Sequence, residues 1–469
     1  MSDLLKGFAL DKLTRADLIA LVLKLDQRID ALEAQVAALQ EQAAPVTTSR
    51  NSSLPPSREP KAKRRAASRR RRHGAKPGHA KMSRALVEKP DRVIPVRPST
   101  CAHCATDLQT VEPEHIIRHQ VAELPEIRAL VLETQQYEVR CPQCGLLQRE
   151  ALPEGLEATR SFGPRLEAAL TYFKHEQHLS YERLEHTLHD VFGVALSQGG
   201  ATDVVHRAGQ AAQPQAETIG AQVRQSAVIG SDETSARVNG DNWWQWTFRS
   251  VAGIYHTIRH SRGADVILAF LQERGSWVEV WVSDCLPAQL KAPAQQFQLC
   301  LAHQLRDLQG VIDRRPHLRW AQEMQALFRE AIHLAKRRSR LTEQGFQRRV
   351  AEIEQRRDRL LDRTVTKSNI KGDKAANLLA RYRTHRDHLF VFLHRTDVPF
   401  DNNASERALR PSVIHRKVTG GFRSAWGAQA YAALATVIDT AKLQGRNVFA
   451  TLVELMGKPI LHYFTPEIA

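Results

Sequence analysis

Leu18, Val22, Leu25, Ile29, Leu32, Val36 and Leu39 recur at alternating spacings of four and three, so one apolar stripe runs along the first segment of the chain. Val22, Ile29 and Val36 occupy the a positions of a heptad and the leucines the d positions. β-Branched residues at a with Leu at d favour two parallel strands. Thr14-Arg15-Ala16-Asp17 supplies a capping box with Asp in place of Glu. The pattern predicts a coiled-coil dimerisation helix over residues 1–41, against the alternative of an amphipathic helix packed on its own chain. Residues 42–98 read as a linker, because Pro, Ser, Thr and charge leave too few apolar positions for a core. Val131 to Arg140 alternates like a strand. Helical periodicity fills 164–210, with one helix opening at Ser180 and ending near Gly193 and another starting after Ser197. That break is either a helix-turn-helix or part of a helical spacer. Strands are predicted at 227–232, Trp243–Val251, Gly253–His260, 278–284 and Phe297–Ala302, with a helix at Ala264–Glu273. Residues 304–396 are helical again and rich in Arg.

At 469 residues the chain is too long for one core, and three or more units are expected. It holds 67 Lys and Arg against 51 Asp and Glu, a net charge of +16, which points to a polyanionic partner and most simply to nucleic acid. The charge is concentrated. The run from Lys61 to Arg72 includes Lys63, Arg64, Arg65, Arg69, Arg70, Arg71 and Arg72 and no acid, a composition suited to phosphate backbone rather than to base sequence. No apolar run is long enough to span a bilayer, and the N-terminus lacks a signal pattern, so a cytoplasmic, membrane-free location is expected.

Of the six cysteines, four form two Cys-x-x-Cys pairs, Cys101 with Cys104 and Cys141 with Cys144. Each pair makes a turn that aims two thiolates at one point, and two pairs complete the tetrahedral sulfur site that zinc favours. A redox dithiol needs only one pair. His103 is a lesser candidate ligand.

Three carboxylates carry the candidate chemistry. Asp232 follows the apolar run from Ala227, Asp284 follows Val278–Ser283, and Glu406 lies about a turn into a helix capped by Asp401 and Asn402. Taken singly, such acids are usually turn or cap residues. Two strands and a helix each delivering one acid is an arrangement that holds two divalent ions, because hard cations about 4 Å apart share carboxylate oxygens. Glu233 and Asp241 are rivals. Glu233 belongs to the opposite face of its strand, which favours Asp232.

This Asp-Asp-Glu set resembles the catalytic set of RNase H-like (DDE) transposases, whose core also runs three strands, a helix and two more strands. The resemblance extends nearly end to end to the insertion-sequence-66 family of bacterial transposases. It is carried by Asn51-Ser52-Ser53-Leu54-Pro55-Pro56-Ser57, the basic tract running into Lys76-Pro77-Gly78-His79, the two Cys pairs, and above all Asp401-Asn402-Asn403-Ala404-Ser405-Glu406-Arg407-Ala408-Leu409-Arg410-Pro411 with Gly421-Phe422 beyond. The stretches after Asp284 and after His303 depart from the family's pattern.

The resemblance implies a multidomain α+β chain: coiled coil (1–41), basic linker (42–98), zinc-ribbon-like module (99–160), helical domain (161–222), and an RNase H-like mixed α/β core in two parts (223–303 and 397–469) around a helical insertion (304–396). It implies a homodimer or higher oligomer that binds double-stranded DNA, both terminal inverted repeats and target, with accessory proteins as further partners. Cleavage and strand transfer would use two Mg²⁺ on Asp232, Asp284 and Glu406, and Zn²⁺ would be structural. His303, from the family's Cys-x-x-His element, is either a phosphate contact or a buried structural histidine. Arg407, Arg410, Arg416 and Lys417 are expected on backbone phosphates. The rival readings are a non-catalytic DNA-binding regulator and a nuclease that cuts without joining.

Overall fold

The computed structural model describes residues 47–52, 84–153, 160–365 and 373–457, with a few isolated positions outside those spans. Nearly all of the expected coiled coil and the whole Lys61–Arg72 tract lie outside the described residues. Two three-residue strands, β1 (Glu138–Arg140) and β2 (Leu147–Arg149), pair antiparallel around the second Cys pair. The strand expected from Val131 is thus shorter; its first part forms no ladder.

Three helices follow: α1 (Pro164–His175), α2 (Tyr181–Phe192) and α3 (Gln198–Arg224). Ser180 caps α2 by accepting from the Arg183 N–H, Gly193 closes it in the left-handed region, and Ser197 caps α3 through the Gly200 N–H. The capping residues act where the sequence places them.

The central sheet has five strands: β3 (Val228–Val238), β4 (Asp241–Arg249), β5 (Ile254–Arg259), β6 (Val278–Ser283) and β7 (Ala294–Leu299), in the spatial order β5-β4-β3-β6-β7. β3, β4 and β5 form an antiparallel meander, and β6 and β7 add parallel to β3. The first and fourth strands are therefore neighbours. A helix, α4 (Ala264–Leu271), makes the crossover from β5 to β6. Two boundaries differ from expectation. β3 continues six residues past Asp232, because Asn239 and Gly240, both at positive φ, form a two-residue hairpin that pairs Val238 with Asp241. β7 stops at Leu299, since Cys300 is already the cap residue of the next helix and its N–H bonds the Ser283 carbonyl.

After β7 come α5 (Leu301–Arg314), α6 (Arg319–Lys336), α7 (Glu343–Leu361), α8 (Ala375–Thr384) and α9 (Val391–His394), then α10 (Asn403–Thr419), α11 (Ala425–Leu443) and α12 (Val448–Met456). Residues on the two faces of the sheet belong to different cores. Val280, Val282 and Leu299 join Trp320, Phe328, Phe346, Tyr382 and Phe390 of the α5–α9 block. Ile229, Trp246, Phe248 and Trp281 face α3, α4, α11 and α12. The sheet is thus the middle layer of a mixed α/β fold. No helix among the described residues is long and apolar enough to cross a membrane.

The α3–α11 contact is close because both helices present small residues. A Cβ on Gly209 would lie 2.3 Å from the Ala430 Cβ and 2.8 Å from its Cα. Ala in place of Gly stabilises a free helix by about 0.5–1 kcal/mol. Here Gly209→Ala is expected to lower stability by about 1–3 kcal/mol, the cost of overpacking a filled site. Urea unfolding checks the sign.

Candidate active site

The site begins with strand register. β3 and β6 pair in parallel through Val228↔Val280 and Gly230↔Val282. Two residues further along each strand stand Asp232 and Asp284, so the same register brings them side by side where the ladder ends. Alternation puts both on the face of Val280 and Val282. Glu233 points the other way, into an ion pair with Arg262 at 3.0 Å and a hydrogen bond from the Gln289 amide at 2.9 Å. Asp241 is exposed at the distal hairpin. Asp284 makes a local turn, its Oδ1 accepting from the Leu286 N–H at 2.9 Å.

Glu406 arrives in the first turn of α10, and Asn402 sets where. Asn402 was expected to cap α10, yet its side chain makes no capping bond to the helix. It is buried instead, its Nδ2 donating to the Ser231 carbonyl at 2.8 Å and its backbone N–H to the Cys300 Sγ at 3.1 Å. Asp401 takes over the capping, accepting from the Asn403 N–H at 3.2 Å and its amide at 2.7 Å. One residue thus ties the start of α10 to β3 beside Asp232 and to the β7–α5 junction.

The α5 helix completes the surround. His303 Nδ1 lies 3.5 Å and Arg306 Nη2 3.7 Å from Glu406 Oε1. Glu406 Oε1 is buried and has no hydrogen-bond partner, and neither has His303 Nδ1. Burial and the nearby Arg306 lower the His303 pKa, favouring neutral imidazole. Burial pushes the Asp232 carboxyl well above the usual range, and Glu233, Asp284 and Glu406 add to the effect. Four acids therefore share one electrostatic neighbourhood.

A buried carboxylate oxygen without a donor and a carboxyl surrounded by other acids both call for cations, so the residues present fit divalent ions. Among the described residues, the only group of three or more His, Cys, Asp or Glu whose ligand atoms all lie within 4.8 Å of one another is Cys300, His303 and Glu406. Its thiol is occupied as the acceptor for Asn402, and burial raises the Cys300 pKa to about 12. A neutral thiol already holding a backbone N–H is a poor ligand. The ligand oxygens of Asp232, Asp284 and Glu406 do not all lie within 4.8 Å of one another in this structure.

A profile of the Transposase IS66 family matches residues 160–430, more than half of the chain and the whole of this site. The chain belongs to the IS66 transposase family. It is also 36% identical over 80 residues to the uncharacterized protein y4jO of Sinorhizobium fredii, a match covering 17% of this chain and 25% of that protein.

The basic residues of this IS66-family chain divide. Arg407 and Arg410 are exposed on α10, and Lys417 is exposed near its end. Arg416 is engaged, its guanidinium donating to the Ser235 carbonyl and to the Ser235 hydroxyl. Arg249 and Arg306 are further cations of the site. Arg249 sits opposite Gly230 on β4, and burial, with the nearby Arg407 cation adding to it, lowers its pKa. No spacing signal marks it; the β3–β4 register does. Arg306 was visible as the residue one turn after His303 on the same helix.

The two Cys pairs make the same turn. Ala105 N–H bonds the Cys101 carbonyl and Gly145 N–H the Cys141 carbonyl, both at 2.9 Å, with Ala105 and Gly145 both at positive φ. Cys101 N–H and Cys141 N–H close each turn from the other side, on Thr106 and Leu146 carbonyls. Hydrogen bonds to the sulfurs, led by the Thr106 hydroxyl at Cys104 and the Cys144 N–H at Cys141, lower both thiol pKa values. The four sulfurs do not form one cluster in this structure.

The raised Asp232 pKa fixes a pH dependence. Between the ordinary carboxyl value, about 4, and the raised native value, the native state binds more protons than the unfolded chain. Stability of the ion-free protein is therefore expected to fall as pH rises through that window. Millimolar Mg²⁺ should oppose the fall, and Asp232→Asn should flatten it. Melting temperature against pH, in EDTA and in Mg²⁺, tests this; an Mg²⁺-independent melting curve at pH 8 would separate the acids from any ion.

Proposed function

We propose that this chain is a DDE-type DNA transposase with an RNase H-like catalytic core, acting on the ends of a mobile element by metal-dependent strand cleavage and strand transfer. The observation that carries the reading is the strand register that aligns Asp232 with Asp284, joined to the Asn402 tie that delivers Glu406 beside His303. The order β5-β4-β3-β6-β7, with β6 and β7 parallel to β3, supports the core assignment.

Asp232, Asp284 and Glu406 would hold two Mg²⁺. When bound, such ions lower the pKa of an attacking water or 3′-hydroxyl and neutralise the leaving oxygen of a phosphodiester. The chain's own residues do the rest. Arg407 and Arg249 present paired positive charge beside the acids, a match for a backbone phosphate. Arg410 and Lys417 extend that charge along α10. Neutral His303 keeps a ring nitrogen free to bond a phosphate oxygen or Glu406. The tract Lys61–Arg72 adds sequence-independent affinity for duplex DNA. The heptads of residues 18–39 support dimerisation, the usual state for a protein that acts on two inverted ends. The accessory proteins that the family suggests remain part of this reading.

The matched turns at Cys101–Ala105 and Cys141–Gly145 support a structural Zn²⁺ on Cys101, Cys104, Cys141 and Cys144. Thiols have no attraction for one another, so the ion's binding energy is what would draw the two turns together. Native mass spectrometry of the full chain is expected to show about one zinc per chain, lost in Cys141→Ser, with the melting of the catalytic core unchanged. A parent chain free of zinc would reject the site.

Glu406→Gln keeps shape but removes the charge a hard cation needs. Cleavage of a labelled repeat-end duplex in Mg²⁺ is expected to fall by about 10³-fold, roughly 4 kcal/mol of barrier. Gel-shift affinity should stay within about threefold, because phosphate contacts elsewhere supply it. Wild-type cutting by this variant would refute the third acid. A parent chain that binds the ends without cutting or joining them would favour a regulator, and one that cuts without joining a nuclease.

A further inference from the structure

Residues 47–52 lie far from the core in sequence but not in space. Thr48 N–H donates to Asn51 Oδ1 at 2.7 Å and Ser52 Oγ to the Thr48 carbonyl at 2.6 Å, closing a compact turn. The Asn51 side chain is buried, and its Nδ2 donates to Asp313 Oδ2 on α5 at 2.9 Å. The other carboxylate oxygen of Asp313 accepts from Gln309 at 2.7 Å, so the acceptor is held in place. Directly beneath, Gly310 leaves the space: a Cβ there would stand 2.4 Å from the Asn51 carbonyl oxygen.

The helical positions matter as much as the contacts. His303, Arg306, Gly310 and Asp313 stand at i, i+3, i+7 and i+10, which is a single stripe of α5. One end of that stripe faces Glu406. The other end receives Asn51, about 10 Å further along the helix. We infer that residues 47–52 are a latch that seats the N-terminal arm on the active-site stripe of α5, with Asn51 as its positioning residue. The basic run opens at Lys61, ten residues beyond Asn51. Ten residues at full extension span about 35 Å. Latched, the arm brings its cations to the same DNA that meets the acids; this last step rests on the DNA-binding reading above.

The latch is tested first without DNA. In the full chain, amides of residues 47–52 are expected to exchange hydrogen at least about tenfold more slowly than an unstructured peptide. Asn51→Asp sets two carboxylates against each other, and Gly310→Leu wedges the seat; each is expected to raise exchange to the peptide rate. Combining Asn51→Asp with Asp313→Asn reverses donor and acceptor and should restore protection. Parent-like exchange in Asn51→Asp, or no recovery in the double variant, would overturn the latch.

The coupling is tested with a duplex substrate. Release should raise KM about tenfold, through lost effective concentration of the arm, and leave kcat within about twofold, with both recovering in the double variant. An unchanged KM, or a loss confined to kcat, would overturn the positioning role. A parent chain that binds no duplex while residues 47–52 stay protected would defeat the DNA reading and uphold the latch.

Discussion

Asn402 is the residue on which the site depends. It stands at the start of α10, yet its side chain is spent on the Ser231 carbonyl of β3 and its backbone N–H on the Cys300 sulfur. Each bond contributes only about 1 kcal/mol net, but losing one leaves a buried partner unsatisfied at about 1–3 kcal/mol. The geometric consequence is larger than the energetic one. Asp232 follows Ser231 directly, and Cys300 begins the turn that leads to His303. The three elements that deliver Asp232, Glu406 and His303 are therefore joined by one amide and one backbone N–H.

The tie holds together groups that repel. Asp232 sits among Glu233, Asp284 and Glu406, and burial raises its pKa further. Within that arrangement the Glu233 N–H donating to Asp232 Oδ1 at 3.0 Å offsets little of the repulsion. Compensation comes from outside the acid cluster: Glu233 pairs with Arg262 on the opposite face of the sheet, and Glu406 has the Arg306 cation within 4 Å. The remaining unbalanced charge is what would attract divalent cations. Such a concentration of acids is expected to be strained without cations, and both large cores, above and below the sheet, supply the stability that tolerates it.

Much of this was readable in the residues, and the failures have identifiable causes. Strand periodicity located all five core strands, because each buries at least one apolar face. The end of β3 was missed because Asn239-Gly240, a strong hairpin signal, follows a polar stretch, Glu233 to Ser235, that breaks the apolar run. Strand and helix context singles out the three acids, and the strand order already implies that Asp232 and Asp284 are neighbours; the parallel pairing of Gly230 with Val282 sets the register that aligns them. Asn402 was read as a helix cap by its type and position. Only the tertiary structure shows that its amide is committed to β3, with Asp401 capping in its place. The Asn51-Ser52 motif has no role legible in the sequence, since its partner, Asp313, is distant along the chain.

The helical block between the second and third acids is part of the site, not an appendage to it. Its first helix, α5, starts one residue after the cap at Cys300 and carries His303 and Arg306 to Glu406. Its later helices brace that first one: Arg381 of α8 bonds Asp307 at 2.9 Å and Gln304 at 3.3 Å, and the Trp320 indole of α6 donates to the Leu360 carbonyl of α7 at 3.0 Å. Val280, Val282 and Leu299 of the sheet share one hydrophobic core with the block. A displacement of α8 would therefore pass through Asp307 to the helix that positions His303 against the third acid. The long sequence separation between Asp284 and Glu406 accommodates that brace.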